Sequence, residues 1–259
     1  MKRIFQCSIP QADEKKFSYF FKKYSLTKYR DRYAPSIFFS GWKMGPIKNH
    51  KGFGLVIWRG SDINDKKLST LRKKKNIFHL AISSFIEDDL IKSKIKYKSL
   101  PVVGKKMSYY KIRPLGNEIY TYIPDAHPGK YHERYGMKIV KKIQKRTKYK
   151  INIIGAIKYS RKELADIYGR CFCGLRMTKH DGLPNQIIEM GLMGRRSFYN
   201  GNIPGSIKWD KNDVGGIIKN IDKEAEKIGS INEEYASSVR DFIAIGDKWL
   251  DVNFWKKGN

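Results

Sequence analysis

Short apolar runs bounded by glycine alternate with polar, charge-rich stretches along most of the chain. Residues 36–42 (Ser-Ile-Phe-Phe-Ser-Gly-Trp) and 54–60 (Gly-Leu-Val-Ile-Trp-Arg-Gly) have the length of strands and lack polar alternation, so each reads as a strand buried on both faces. Ser61 or Asp62 then caps a helix predicted to run to Lys75, and 77–82 is a third strand. Ser83 or Ser84 caps a helix over 85–94, with Glu87, Asp88 and Asp89 in its first turn and Lys92 and Lys94 at its end, the charge order that the helix dipole favours. Strand alternating with helix builds a parallel sheet covered on both faces, which assigns residues 1–115 to one doubly wound α/β domain.

The rhythm restarts after Pro114-Leu115-Gly116. Strands are predicted at 118–123, 150–155, 171–177 and 196–199. Helices are predicted at 135–146, with Ile139, Val140 and Ile143 on one face, at 161–168 after a Ser160 cap, and at 184–193. Residues 116–259 form a second α/β domain. Its last stretch, 232–254, is amphipathic and carries Tyr235, Val239, Phe242, Ile243, Trp249 and Leu250, a stripe suited to covering the second sheet or to crossing back and bracing the first domain. No period of 20–50 residues recurs, so the halves are alike in architecture only.

Charge changes the picture. Among 259 residues, 53 Lys+Arg stand against 25 Asp+Glu, a formal net charge of +28. Residues 1–120 carry +18 of it and residues 121–259 carry +10. The densest basic runs, 15–24, 28–33, 72–75 and 92–98, mostly interleave Lys and Arg with Tyr and Phe. Such runs suit phosphate contacts beside flat surfaces, and the field as a whole favours polyanions: nucleic acid, an anionic membrane surface or an acidic polysaccharide. AT-rich coding accounts for abundant lysine but not for the shortage of acids. No stretch approaches the ~20 apolar residues of a membrane-spanning helix. The N-terminus meets Gln11 and Asp13 too soon for a signal peptide, so a cytoplasmic protein is expected. Three cysteines and five dispersed histidines show no metal-ligand spacing, and no metal or other cofactor is expected.

The most informative stretch is 174–194, which leaves a strand, turns through Asp181-Gly182 and enters a helix. In α/β sheets ligands bind at the carboxyl ends of strands, where a helix N-terminus offers free N–H groups to a phosphate. Arg176 and Lys179 add positive charge there, and Glu189 lies inside the helix, where a carboxylate has no capping role. These residues resemble the donor-binding motif of the family 4-like glycosyltransferases, whose GT-B fold has two Rossmann-like domains facing a cleft. The family's Glu-x7-Glu appears as Asp181-x7-Glu189, within Thr178-Lys179-His180-Asp181-Gly182-Leu183-Pro184, and the helical Glu-x4-Gly as Glu189 to Gly194. The resemblance covers about residues 117–259 and is weaker before them. Asp181 stands in place of the usual first glutamate, and Pro184 where many relatives have glycine.

The resemblance implies a retaining transfer from a nucleotide sugar that needs no metal. It places Asp181 on hydroxyls of the donor sugar, Glu189 on the ribose, and His180, Gly182 and Leu183 in the donor pocket. The diphosphate would be neutralised either by Lys130 and Arg134 or by Arg176 and Lys179. On the acceptor side, Arg59, Ser61 and Asp62 end a strand of the first domain, although Ser61 or Asp62 serves equally as a helix cap and Trp58 as core. His79, inside an apolar strand, reads as a core histidine. The basic first domain favours a nucleic-acid acceptor, as for viral enzymes that glycosylate hydroxymethylated DNA bases, in which case the source is viral and the site the host cytoplasm. Transfer to a surface glycan or lipid-linked saccharide is the alternative, and a non-catalytic nucleic-acid-binding protein the third reading.

Overall fold

The computed structural model describes residues 6–8, 18–39, 44–59, 63, 68–103, 106–124, 129–155, 159–178 and 181–251, without the side chains of residues 130 and 131. The chain divides into two compact units. The first comprises Met1–Lys106, Asp181–Leu183 and Ile243–Asn259, the second Met107–His180 and Pro184–Phe242.

In the first unit the strands are β1 (Gln6–Ser8), β2 (Thr27–Lys28), β3 (Ser36–Phe39), β4 (Gly54–Trp58), β5 (Ile77–Ala81) and β6 (Lys98–Ser99), arranged β2-β1-β3-β4-β5-β6 with every pairing parallel. Helices α1 (Ser18–Lys23), α2 (Met44–Asn49) and α3 (Ser84–Lys92) connect them. All residues of β3 and β4 are buried, because alternate side chains enter cores on opposite faces. Ile37, Phe39, Leu55, Ile57 and Leu80 join one core, and Phe38, Val56, Trp58, Ile77 and Ala81 the other. The helix expected from Ser61 or Asp62 to Lys75 begins outside the described residues. Among those described, helix is limited to Leu68 and Ser69, and the chain then turns towards β5. Short β1, β2 and β6 give no periodic signal and were not anticipated.

The second unit holds β7 (Glu118–Tyr122), β8 (Ile151–Ile154), β9 (Cys171–Leu175) and β10 (Arg196–Phe198) in the order β10-β9-β7-β8, again all parallel. Its helices are α4 (Lys130–Arg134), α5 (Met137–Gln144), α6 (Arg161–Gly169), α7 (Asn185–Leu192) and α8 (Val214–Ala225). Ser160 closes a full capping box with Glu163 at the start of α6. Helix α8, absent from the sequence reading, is capped by Asp213, which accepts from Gly216 N at 2.7 Å. Buried Arg195 donates to the carbonyls of Tyr168, Cys171, Arg113, Met193, Pro114 and Gly169, tying the segment before β7 to the end of α6.

Helix α9 (Glu233–Trp249) belongs to the second unit up to Phe242 and to the first from Ile243. Its end is held in the first unit by Lys23 Nζ on Asp247 Oδ2 at 2.9 Å, and Gly246 lets its backbone approach so closely that a Cβ would lie 2.1 Å from the Pro101 carbonyl oxygen. Among the described residues no helix is long and apolar enough to cross a membrane.

Candidate active site

Strand β9 delivers the central residues of the second unit. Its side chains are buried throughout, and where it ends the chain continues to Arg176, 8% exposed, whose N–H donates to the Phe198 carbonyl at 3.0 Å. The Arg176 guanidinium lies over the Tyr135 ring, 4.6 Å from its centroid, which fixes a cation at the carboxyl end of the sheet. Tyr135 follows α4, so exposed Arg134 is carried on the same turn. That turn is pressed against β9's exit: Gly136 has φ +73°, and a Cβ there would meet the Met177 carbonyl oxygen at 2.4 Å. Lys130 opens α4, and its side chain lies outside the described residues.

Helix α7 follows Pro184, which provides no side-chain cap. Gln186, in its first turn, donates Nε2–H to the Leu175 carbonyl at 3.2 Å. Its Oε1 is buried with no protein partner among the described residues, and so is Thr178 Oγ1 just beyond β9. Two such orphaned polar atoms beside one strand end are what a polar ligand would satisfy.

Glu189 sits one turn further along α7, 4% exposed, and accepts from the Tyr168 hydroxyl at 3.0 Å on Oε2. Three tyrosines surround it. Tyr168 packs edge-on to Tyr120 at 4.8 Å and tilted to Tyr110 at 6.1 Å. Burial, first, and then the Glu189 charge push the pKa of Tyr168 and Tyr110 upwards. Tyr120 is also pushed upwards, mainly by burial; the Glu189 charge adds to this and the Arg176 charge opposes it, so Tyr120 stands in the field of both candidate residues. The tyrosines therefore remain neutral donors over the physiological range. Sequence reasoning missed them because Tyr168 is 21 residues from Glu189 on another helix.

The turn carrying Asp181, Gly182 and Leu183 belongs to the first unit. Asp181 Oδ1 accepts from the N–H of the next residue, Gly182, at 2.9 Å. Ser83 Oγ lies 3.4 Å from the Asp181 carbonyl oxygen in donor geometry and makes no capping bond to α3. Leu183 packs on the core that contains Ile57, Leu80 and Ile82. Lys179 and His180 lie outside the described residues, as do Ser61 and Asp62. Arg59 is half-buried directly after β4. Trp58 and His79 are core side chains, joined by a bond from Trp58 Nε1 to His79 Nδ1 at 3.1 Å.

No family model matches the chain, and no curated protein matches it. Solved structures do. Sucrose-phosphate synthase from Thermosynechococcus elongatus superposes with a TM-score of 0.63 at 12% identity, over 96% of this chain and 80% of that one. TarM superposes with a TM-score of 0.58 at 13% identity, over 91% of this chain, which spans 57% of the TarM chain. A second TarM structure, from S. aureus and in complex with fondaparinux, alpha-GlcNAc-glycerol and UDP, gives a TM-score of 0.55 at 14% identity, over 83% of this chain and 55% of that one. The fold is that of the GT-B glycosyltransferases.

Proposed function

We propose that the chain is a retaining, metal-independent glycosyltransferase that moves a sugar from a nucleotide-sugar donor to a nucleic acid, with hydroxymethylated DNA bases as the preferred acceptor, in the cytoplasm. The observation that carries the catalytic reading is Glu189, a buried carboxylate of the Asp181-x7-Glu189 spacing, oriented by Tyr168 on the helix whose first turn carries the orphaned Gln186 Oε1. A ribose diol supplies two donors that a carboxylate can accept alongside the tyrosine hydroxyls. The GT-B fold supports the reading without choosing a substrate.

In this mechanism the bond between the anomeric carbon and the diphosphate oxygen breaks while the acceptor oxygen bonds to the same face of the sugar. The acceptor proton passes to the departing diphosphate. The protein's task is then electrostatic: Arg176, with Arg134, Lys130 or Lys179, and the uncapped N–H groups of α7 neutralise the leaving group. Asp181 orients the donor sugar with Gly182, Leu183 and His180, and Arg59, Ser61 and Asp62 face the acceptor.

Glu189→Gln keeps an acceptor for Tyr168 and removes the charge. It is expected to retain the wild-type circular dichroism spectrum and melting temperature while losing at least ~100-fold in donor turnover, about 2.7 kcal/mol of transition-state stabilisation. Undiminished turnover in that variant removes Glu189 from the site. A second acceptor reading, a surface glycan or lipid-linked saccharide, is favoured by the TarM structure that contains alpha-GlcNAc-glycerol.

A further inference from the structure

The first unit has a groove of about 570 Å³ along the amino-terminal part of β5. It exists because β6 is two residues long and pairs only with Leu80 and Ala81, leaving the loop after α3 to wall off the earlier part of the strand. Six of its fourteen lining residues are Lys or Arg, and none is Asp, Glu, Asn or Gln. Two cations are tied to the protein: Arg72 Nε donates to the Ser93 carbonyl at 2.6 Å and Lys74 Nζ to the His50 carbonyl at 2.9 Å. Lys75, Lys94, Lys96 and Lys98 are exposed. Glu87, outside the lining, accepts from Ser99 Oγ at 2.6 Å and from the Tyr97 hydroxyl at 3.4 Å.

Aromatic rings stand among these cations. Phe78 is 45% exposed, an unusual state for a phenylalanine in a strand, and its ring is braced by Phe53 at 5.3 Å. Trp249 is half-buried with Lys98 Nζ 5.8 Å from its ring centroid, and half-buried Tyr97 is also part of the lining. His79 lines the groove too. Its Nδ1 accepts from Trp58, so its Nε2 is the protonated nitrogen, a further donor. The groove is at the opposite end of the parallel strands from Arg59, and so is separate from the acceptor-side residues of the proposed active site.

We propose that this groove binds a single-stranded stretch of nucleic acid, with phosphates on the exposed lysines and unpaired bases on Phe78, Tyr97 and Trp249. Cations beside exposed π faces are the recurrent chemistry of single-strand channels. A neutral sugar polymer is disfavoured, because carboxylate and amide side chains are what hold its hydroxyls and the lining has none. The groove would hold the acceptor strand at the opposite end of the first unit's sheet from Arg59. The choice of ligand rests on the nucleic-acid reading of the acceptor, but binding requires no transfer, so the two ideas fail separately.

The test is fluorescence anisotropy of a dye-labelled oligothymidylate across a salt series, with wild-type protein, Glu189→Gln, Phe78→Ser and the triple variant Lys75→Gln/Lys96→Gln/Lys98→Gln, each checked for an unchanged melting temperature. The triple variant is expected to bind at least ~10-fold more weakly, with a slope of log K against log salt shallower by about 2, since each single-strand phosphate contact contributes about 0.7. Phe78→Ser is expected to lose roughly 5-fold or more with the slope unchanged, as for a lost stacking platform. Glu189→Gln should bind as wild type does, whether or not any tube shows transfer. Wild-type affinity and slope in the triple variant would overturn the proposal. So would a wild-type protein that ignores the oligonucleotide but binds dextran sulfate or anionic phosphatidylserine vesicles through the same lysines.

Discussion

The His79 ring accepts a hydrogen bond from Trp58 and stacks on it at an interplanar angle of 12°, and burial pushes its pKa from 6.5 down to about 4. His50, against the Phe53 carbonyl, is also pushed down by burial. A lowered folded pKa means that the unfolded chain takes up the proton first as pH falls. The stabilisation from neutral His79 is therefore complete above about pH 6.5 and is lost as pH drops towards 4, by about 3 kcal/mol. Urea unfolding followed between those limits should show the loss, and His79→Gln, which keeps an acceptor for Trp58 but cannot titrate, should flatten it; an equally steep profile in the variant would assign the effect elsewhere. The core role of His79 was legible from its apolar neighbours, its tryptophan partner was not, since the strand pairing that joins them is long-range. Glu189 was singled out as a candidate by the resemblance of Asp181-x7-Glu189 to a known donor motif, whereas Tyr168, Tyr110 and Tyr120 around it come from three other segments of the chain.

Strands β3, β4 and β9 were readable because each is an apolar run of strand length, buried on both faces by the parallel architecture itself, and β5 and β7 because they are mostly buried, with Phe78 as the exposed exception in β5. The two-residue strands β2 and β6 have exposed side chains, so no hydrophobic pattern could mark them. Helix α8 escaped because Gly215 and Gly216 open it, a composition that reads as a loop until the Asp213 cap is seen. The turn between α4 and α5 depends on one glycine in the same way. Gly136 and Gly229 both have positive φ, +73° and +84°, but only Gly136 would put a Cβ against backbone, whereas Gly229 faces open space. Alanine at Gly229 is expected to cost ~1–2 kcal/mol, the left-handed penalty alone. Alanine at Gly136 should cost more, because the Arg134–Tyr135 turn must move off Met177. Thermal unfolding compares them, and equal losses would mean that the close approach at Met177 contributes nothing.

Across the whole molecule, the net charge of +28 is spread along the sequence, with +18 in residues 1–120 and +10 in residues 121–259. Fold class was legible from strand–helix alternation and from the resemblance of residues 174–194 to a glycosyltransferase motif. Acceptor chemistry was legible only as a sign of charge, because sheets of this kind host many substrates on variable loops. The groove at β5 supplies what composition could not, a particular surface where cations and rings meet. The measurement that reaches the central claim most directly is mass spectrometry of nucleosides after incubating the protein with a panel of nucleotide sugars and duplex DNA, with and without hydroxymethylated pyrimidines. A sugar-sized mass gain on a modified base, abolished by Glu189→Gln, is the predicted result. Donor consumption with no gain on any nucleoside, and transfer to a glycan or lipid acceptor supplied instead, would contradict it.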